Sequence, residues 1–369
     1  MDMVNVEDCC EILDSMRVPI TASERKEGKY PYYGANGIQD YVDDYIFDDE
    51  LVLLAEDGGN FGSRERPIAY RISGKCWVNN HAHVLKPKKG LDVDYLCYSL
   101  MFYKVEGIVN GATRKKLTQA AMRKMQIPFR RMEEQIHIVN NLNYVLKVKE
   151  KRERKLKLLD ELVRGRFVEL FGDPVHNDKG WETDTVENLC KKIYGGGTPS
   201  KVHPEYYEEG DIPWVSSKDM KTDVLTDSQI KINQLGVDNS TAKIVPVNSV
   251  IVVIRSGILK HTLPVAINAV PITVNQDLKV FIPGERMVSR FLAVQFKMHE
   301  KDILTGVRAV TADNIEFNLL KQRKLIVPPI ELQKEYVTFV TQIDKSKFGH
   351  LSMLTTIKSA YEQQTFIYS

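Results

Sequence analysis

The chain has 369 residues, enough for two ordinary domains, and its hydrophobic content of 43% can form a core in each. Its 51 basic and 49 acidic residues give a net charge of +2, so composition alone does not indicate nucleic-acid binding. Five cysteines without a Cys-x-x-Cys pair, no signal peptide and no apolar stretch of membrane length predict a soluble cytoplasmic protein without membrane contact.

The first globular segment, residues 1–130, is rich in turns and in short apolar runs. A helix is predicted over residues 6–14, and strands are predicted over residues 51–55, 68–72 and 82–85, each bounded by glycine, asparagine or proline. Few long helices interrupt these strands. The pattern therefore predicts a mixed α/β domain with a mostly antiparallel sheet.

One long helix is predicted over residues 131–172, because apolar side chains recur there at steps of three and four and no proline precedes Pro174. At 1.5 Å per residue it would be about 55 Å long. Such a helix needs a partner to bury its apolar seam. Polar Asn143 is interpreted as fixing the pairing register, with irregular packing as the alternative. The predicted seam consists of Ile136, Val139, Asn143, Leu146, Leu159 and Val163.

The second half of the chain repeats this organisation. Residues 78–87 match residues 274–283, and Ile127-Pro128 before the first long helix corresponds to Val327-Pro328 before a second one. A second globular segment, residues 173–329, is therefore followed by a partner helix over residues 330–369. The predicted architecture has pseudo-twofold symmetry, with two α/β (α+β) domains separated by two antiparallel coiled-coil helices. The seam of the second helix consists of Tyr336, Phe339, Ile343, Met353 and Ile357, with polar His350 also assigned a register-fixing role.

Motifs of catalytic loops are missing from the sequence. It contains no Gly-x-Gly-x-x-Gly, no phosphate loop ending in Gly-Lys-Ser/Thr and no Asp/Asn-Pro-Pro-aromatic tetrapeptide of adenine methyltransferases. His81 and His83 could share a metal from one face of a strand, or be ordinary hydrogen-bonded histidines. The repeat has Asp277 and Lys279 at the matching positions. No catalytic residue, metal site or bound cofactor is therefore predicted.

Loop residues of both globular segments are candidate DNA contacts, since tyrosines can stack on bases, cations can meet phosphates and bare glycine amides can approach a phosphate. Ordinary loop packing or a solvated surface is the alternative for each. The candidates are Tyr32, Tyr33, Asn36, Arg64, Arg114, Lys115 and Lys116 in the first segment, and Gly196, Gly197, Thr198, Ser216, Ser217, Lys218, Arg255, Lys260 and Arg308 in the second.

Four segments of the second copy carry a resemblance to a known family. Residues 171–174 (FGDP), 180–181 (GW), 195–199 (GGGTP) and 212–219 (IPWVSSKD) resemble the DNA-specificity (S) subunit of type I restriction-modification systems. The two repeated domains with their long helices fit the same family. The first copy departs from the pattern, with YYGANG at residues 32–37 in place of the glycine-threonine-proline and tryptophan signatures.

The resemblance implies a non-catalytic subunit. Each globular domain would be a target recognition domain that reads one half of a bipartite sequence in double-stranded DNA. The paired helices would set the spacing of the half-sites and dock the methyltransferase (M) subunits. S-adenosylmethionine would bind to the M subunits, and ATP with Mg²⁺ to the restriction (R) subunits. The alternatives are a stand-alone DNA-modifying enzyme and a coiled-coil scaffold for protein partners.

Overall fold

The computed structural model describes residues 2–63, 65–111, 114–306, 308–309 and 313–367. The chain divides into two compact units. Unit 1 is Met1–Lys155 with Gly349–Ser369, and unit 2 is Leu156–Phe348. Among the helices of these described ranges, none combines the length and the apolar character that crossing a membrane requires.

Unit 1 is built on a six-stranded sheet with the order β2-β7-β5-β6-β3-β4, antiparallel except for the β3–β6 pair, and on a separate β1–β8 pair. The predicted helix over residues 6–14 is wrong beyond Cys9, because Cys10 begins a strand that pairs with β7. The strands are β1 Asp2–Asn5, β2 Cys10–Ile12, β3 Glu27–Gly34, β4 Gly37–Val42, β5 Phe47–Ala55, β6 Ala69–Val78, β7 Ala82–Pro87 and β8 Gln126–Phe129, and the helices are α1 Val6–Cys9, α2 Val93–Leu100 and α3 Gln119–Arg123, with a 3-10 turn at Asp14–Met16.

Strand β5 is the centre of this sheet because both of its faces are buried. Val52 and Leu54 face one apolar cluster, whereas Leu51 and Leu53 face another, and all four side chains are fully buried. A continuous apolar run is typical of a strand that is covered on both sides. The strand therefore holds the loop that follows Ala55 on a rigid base.

A helix of 40 residues, α4 Met132–Phe171, follows β8. Unit 2 then contains a five-stranded sheet with the order β10-β17-β14-β15-β12 and a three-stranded sheet with the order β13-β11-β16. Its strands are β9 Thr183–Thr185, β10 Cys190–Gly195, β11 Ile212–Val215, β12 Val224–Leu225, β13 Lys231–Ile232, β14 Val250–Val253, β15 Val265–Asn268, β16 Thr273–Val274, β17 Leu278–Pro283, β18 Arg308–Ala309, β19 Asp313–Asn314 and β20 Lys324–Ile326. Its helices are α5 Val186–Leu189, α6 Gln234–Asp238, α7 Ser289–Met298, α8 Glu300–Thr305 and α9 Phe317–Gln322, with 3-10 turns at Pro204–Tyr206 and Gly257–Lys260, and the last helix is α10 Ile330–Ile367.

The two units repeat one plan, which confirms the predicted fold class of two mixed α/β repeats and a long helix. Strand β14 occupies the place of β5, with its four residues fully buried. Strands β7 and β17 have the same length in matching sequence positions. An antiparallel pair leads into each long helix, β1–β8 before α4 and β9–β20 before α10.

A buried glutamine, unnoticed in the sequence, is the fourth residue of each long helix. Gln135 accepts a hydrogen bond from the Asp92 amide (2.8 Å) and donates to the Gly90 and Arg130 carbonyls (both 2.8 Å). Gln333 accepts from the Val288 amide (3.0 Å) and donates to two carbonyls in the same way (both 2.9 Å). Both side chains are fully buried. Each glutamine therefore joins the start of its helix to the globular part of its own unit.

The predicted seam is wrong by one residue at two places. Ile136 is 46% exposed and Met353 is 50% exposed. Because Gln135 points inward, the residues four and seven positions later, Val139 and Leu142, complete the buried face, and Ile136 lies about 100° away from it. Tyr336 is fully buried, and the remaining seam residues are half-buried: Asn143, Leu146, Leu159, Val163, Phe339, Ile343 and Ile357.

The helix segments that pack within unit 2 are antiparallel. The ring of Tyr336 lies 5.5 Å from that of Phe167, and its hydroxyl donates to the Val163 carbonyl (3.0 Å). Lys347, eleven residues after Tyr336 on α10, lies 2.5 Å from Asp160. Asp160 precedes Phe167 on α4, so the two helices run in opposite directions. The coiled-coil prediction is thus confirmed for this part of the helices.

The two polar residues that were assigned a register role have different partners. In unit 1, His350 accepts a hydrogen bond from Arg152 of α4 (2.6 Å), so it does lie between the helices. Asn143 instead accepts from the Tyr98 hydroxyl of α2 (2.6 Å). The register prediction was therefore wrong for Asn143, whose amide ties α4 to the globular part of unit 1.

An ionic cluster in unit 1 links the 3-10 turn, β5, β7 and the segment before α3. The Nδ1 atom of fully buried His83 lies 2.6 Å from Asp14, and its Nε2 atom lies 2.9 Å from the Leu117 carbonyl oxygen. Arg17 donates to Glu56 (2.7 Å). Burial alone would raise the pKa of Asp14, but hydrogen bonds from His83, Gln119 and the Val84 amide outweigh it and hold that pKa below its ordinary value.

We expect Asp14→Ala to lower the free energy of unfolding of unit 1 by about 3–5 kcal/mol, because it leaves the fully buried His83 without its carboxylate partner. Hydrogen exchange of the β5 and β7 amides, read by mass spectrometry, measures the loss within this unit. The control is Asp40→Ala, which removes a carboxylate that is 46% exposed and bound to Arg25 at 3.3 Å. That change should cost about 0–1 kcal/mol. Equal effects of the two variants would contradict the role of the cluster.

In unit 2, burial and then the charge of Arg323 lower the pKa of His299 from 6.5 to about 4. The ring is 2% exposed, and its Nε2 atom has no hydrogen-bond partner among the described residues. The folded state thus holds the neutral ring. Its contribution to stability is complete above the unfolded pKa and is lost as pH falls through the folded one.

We expect the free energy of unfolding of unit 2 to fall by up to about 3 kcal/mol between pH 6.5 and pH 4 through this residue. His299→Gln should remove that part of the pH dependence. His203→Gln, at a ring that is 50% exposed, should retain it. Urea unfolding at a series of pH values checks both variants, and an unchanged pH profile for His299→Gln would refute the assignment.

Candidate nucleic-acid interface

A cluster of loops gathers at the end of β5 in unit 1, and it is called loop cluster 1. It contains the β3–β4 turn, residues 56–58, residues 79–81 and residues 114–116. Asn36 donates to the Gly58 carbonyl (3.0 Å), and Asp57 lies 2.5 Å from the His81 ring nitrogen. Asp57 also accepts from Arg114 (2.9 Å). Segments that are distant in sequence therefore meet at one place.

Two features hold the basic segment of loop cluster 1 against the strand end. Lys116 forms a β-bridge with Asp57, and its ammonium lies 3.1 Å from Glu56. Gly58 has a φ of +63°, which other residues rarely adopt, and this lets the chain turn away directly after β5. Arg114 packs beside that glycine. Lys115 is exposed, and no ion pair to it occurs among the described residues.

The aromatic candidates of unit 1 have different environments. Tyr32 is 1% exposed, and its hydroxyl hydrogen-bonds to the backbone of Ile20, so the prediction that it stacks on a base is wrong. Alternation along β3 turns Tyr32 inward and Tyr33 to the other face. Tyr33 is half-buried against Tyr70, with ring centroids 5.9 Å apart. Arg64 lies outside the described residues.

Unit 2 has a corresponding group of loops at the end of β14, called loop cluster 2. It contains residues 196–198, 216–219, 255–260, 275–277 and 313–314. Arg255 forms an ion pair with Asp277 and a β-bridge with Asn314. Thr198 donates to Gln276, and Lys260 lies 3.8 Å from Asp313. Predicted candidates from two distant segments, Thr198 and the pair Arg255 and Lys260, are therefore neighbours in the fold.

The glycines of unit 2 have a structural role. A Cβ on Gly196 would lie 2.0 Å from the Val274 carbonyl oxygen, and one on Gly197 would lie 2.3 Å from the Thr241 backbone. The Gly197 amide donates to the Val274 carbonyl (3.0 Å), so it is not free for a phosphate. The prediction of a phosphate-binding amide is wrong for Gly197, because close backbone packing explains the glycine.

The other unit 2 candidates lie in loops or in short strands. The amide and the hydroxyl of Ser216 both donate to the Asp219 carboxylate (2.9 and 2.8 Å), which closes a tight turn. Ser217 is half-buried, whereas Lys218 is exposed and has no ion pair among the described residues. Arg308 lies in β18 opposite Asn314, so its backbone adjoins loop cluster 2.

The two loop clusters share backbone bonds but differ in charge. The Glu56 amide donates to the His81 carbonyl (2.8 Å), and the Ile254 amide donates to the Asp277 carbonyl (2.9 Å). Asp57 and Arg255, the residues that follow, form β-bridges with Lys116 and Asn314. Asp57 therefore matches Arg255, and His81 matches Asp277. An acid and a base have thus exchanged places between the repeats. Different surface chemistry is displayed on one scaffold.

A cation site does not fit the ionic cluster of unit 1, although Asp14, Glu56 and His83 have ligand atoms within 4.8 Å of one another. The Arg17 guanidinium contacts both carboxylates, at 3.4 Å from Asp14 and 2.7 Å from Glu56, so it already supplies the positive charge. Both nitrogens of His83 face protein oxygens. His81 pairs with Asp57 instead, so the two histidines do not share one site.

Asp57 and Asp277 are site residues that sequence reasoning missed. Each holds an arginine of its own loop cluster, Arg114 or Arg255. The available signal was an acidic residue beside a strand end, Asp57 after β5 and Asp277 before β17. Its pairing with a distant arginine was not visible in the sequence.

The sequence matches the family model described as the type I restriction modification DNA specificity domain over residues 1–159 and 178–351. The chain is 37% identical over 155 residues to the EcoR124I/EcoR124II specificity subunit of Escherichia coli, a match that spans 42% of this chain and 38% of that protein. It is 22% identical over 316 residues to the MjaIX specificity subunit of Methanocaldococcus jannaschii, which spans 79% of this chain and 72% of the relative.

The fold is similar to the crystal structure of a type I restriction-modification S subunit from M. genitalium. The TM-score is 0.62 at 14% identity, over 99% of this chain and 95% of that one. This likeness concerns the fold alone. The family model covers both repeats and well over half of the chain. The chain therefore belongs to the type I restriction modification DNA specificity family.

Proposed function

We propose that this chain selects the DNA sequence at which a type I restriction-modification complex acts, and that each unit reads one half of a bipartite double-stranded target. The observation that carries the proposal is the convergence of the candidate DNA contacts into one loop cluster per unit, at the end of its central buried strand. Family membership supports the same role. Rigid strands with loops at one edge are a common arrangement for recognition sites.

The chemistry of the loop clusters suits a duplex. Exposed cations such as Lys115, Lys218 and Lys260 can contact phosphates, which provides affinity without sequence information. Polar side chains that are held by the fold, such as Asn36, can read base edges. The near-neutral net charge of +2 suits a protein whose cations are concentrated at a few loops.

The exposed helix faces are proposed to dock methyltransferase subunits. On α4, Leu158, Leu162 and Val168 are 52%, 49% and 47% exposed. Gly165 lies on the same face, where a Cβ would meet nothing within 4 Å. Apolar helix faces of this kind are typical protein contacts. Partner M subunits would bind S-adenosylmethionine, and R subunits would bind ATP with Mg²⁺, so this chain would act in the cytoplasm without a cofactor or catalysis of its own.

The helices are further proposed to set the distance between the two half-sites. Helix α4 is continuous over 40 residues, which corresponds to about 60 Å. The polar segment over residues 147–155 carries few packing contacts that a change of length would disturb, since most of its residues are exposed. A change of length there should therefore alter spacing before it alters the fold of either unit.

We expect deletion of two residues within 147–155 to change the preferred number of base pairs between the half-sites, or to abolish binding if no spacing fits. Selection from random duplexes by the complex measures the spacing. Two substitutions to alanine in the same segment, which keep the length, serve as the control. An unchanged spacing in the deletion variant would contradict the proposal that helix length sets it.

The central experiment is co-expression with the methyltransferase subunit of the same host, followed by pull-down and by sequencing of N6-methyladenine. We expect a complex and a split methylated motif that vanishes when this chain is deleted. Leu162→Glu should reduce recovery of the methyltransferase because it buries a charge in the docking face. Lys155→Glu, on a polar stretch, is the control.

Other outcomes would favour the alternatives. Binding of protein partners with no DNA affinity at any salt concentration would indicate a coiled-coil scaffold. Methylation or cleavage of DNA by the purified chain alone would indicate a stand-alone enzyme. Either result would overturn the proposed role.

A further inference from the structure

We propose that Arg255 reads a guanine through a guanidinium that Asp277 holds in place, which makes it a specificity-determining residue of unit 2. The inference rests on the proposed DNA-reading function and deepens it. It concerns the chemistry of one base pair, within one half of the target.

Arg255 lies at the end of β14 with 49% of its side chain exposed. Its Nε atom donates to the Asp277 Oδ1 atom (2.7 Å), and its Nη2 atom lies 2.5 Å from the same oxygen. These contacts use one edge of the guanidinium. An arginine has five N–H donors, so the edge formed by Nη1 and the outer Nη2 hydrogen is still able to donate. That edge has the geometry of a bidentate contact to guanine O6 and N7.

The acid that holds Arg255 is itself held. Asn275 donates to Asp277 Oδ2 (3.2 Å) and accepts from the Asp277 amide (3.1 Å). Asn275 is 8% exposed, and its own amide donates to the Val215 carbonyl (2.9 Å). The arginine backbone is also bonded to Asp277 and bridged to Asn314. A fixed guanidinium loses less conformational entropy on binding than a free side chain.

The charge of Asp277 favours a base over a phosphate as the partner. A carboxylate beside the guanidinium repels a phosphate anion, whereas guanine O6 and N7 are neutral acceptors. Lys218 and Lys260 of the same loop cluster are exposed and supply the positive charge that attracts DNA. In unit 1 the matching residue is Asp57, which is bound to His81 and Arg114, so the proposed contact belongs to unit 2 alone.

The test compares Arg255→Lys with the wild-type chain, each purified with the methyltransferase subunit of the host, in selection from random DNA duplexes. The lysine keeps the charge but loses the planar fork. We expect preference for one G·C pair in one half-site to fall roughly 5- to 150-fold, while the other half-site is unchanged. Asp277→Asn should weaken the preference at that same base pair by a smaller factor than Arg255→Lys does. Thermal unfolding confirms that both variants fold.

Two further variants make the result specific. Arg286→Lys is the matched control, because Arg286 is also 49% exposed and paired with carboxylates but lies beyond the other end of β17. It should leave the motif unchanged. Lys260→Ala should instead weaken binding to all sequences and reduce the salt dependence by about one counterion.

Several results would overturn the inference. They are a motif that Arg255→Lys leaves unchanged, a uniform loss of affinity like that of Lys260→Ala, and relaxation at an A·T pair. In these cases the wild-type complex would still select a split motif, and the proposed function would stand. A wild-type complex that selects no sequence would overturn both.

Discussion

A buried amide at the start of each long helix is the contact on which the rest of each unit depends. Gln135 and Gln333 each satisfy one backbone N–H and two carbonyls that are otherwise buried. An unpaired group in such a place costs about 1–3 kcal/mol, so three at once determine how the helix leaves the globular part. The direction of Gln135 also sets which helix face is covered, because Val139 and Leu142 follow it on the same side.

The repeats show how one scaffold can support two different recognition surfaces. Buried central strands and matching β-bridges are common to both units, as the pairs Asp57–Lys116 and Arg255–Asn314 illustrate. Backbone bonds place few demands on the side chains at these positions. Their charges can therefore differ without loss of the fold, which is the property required of two domains that are proposed to read different half-sites.

Sequence reasoning failed where a side chain had a use that its type does not reveal. Tyr32 was assigned to a DNA surface, yet strand alternation and a hydrogen bond to Ile20 place it in the core. Gly197 was assigned to a phosphate site, yet it is small because the Thr241 backbone lies against it. The helix seam was shifted by one residue because the inward-facing Gln135 was not recognised as part of it, although its amide has three buried partners.

Repetition, strand patterns and helix length were predictable from residue order, because apolar periodicity and segment spacing are local properties. They led to two mixed α/β repeats, each followed by a long helix, and to the family. The loop segments were also predictable as candidates. Their gathering at the ends of β5 and β14 was not, nor was the pairing of Arg255 with Asp277 or of Arg114 with Asp57. Those neighbours are separated by tens of residues, and the strand order of the folded sheets alone brings them together.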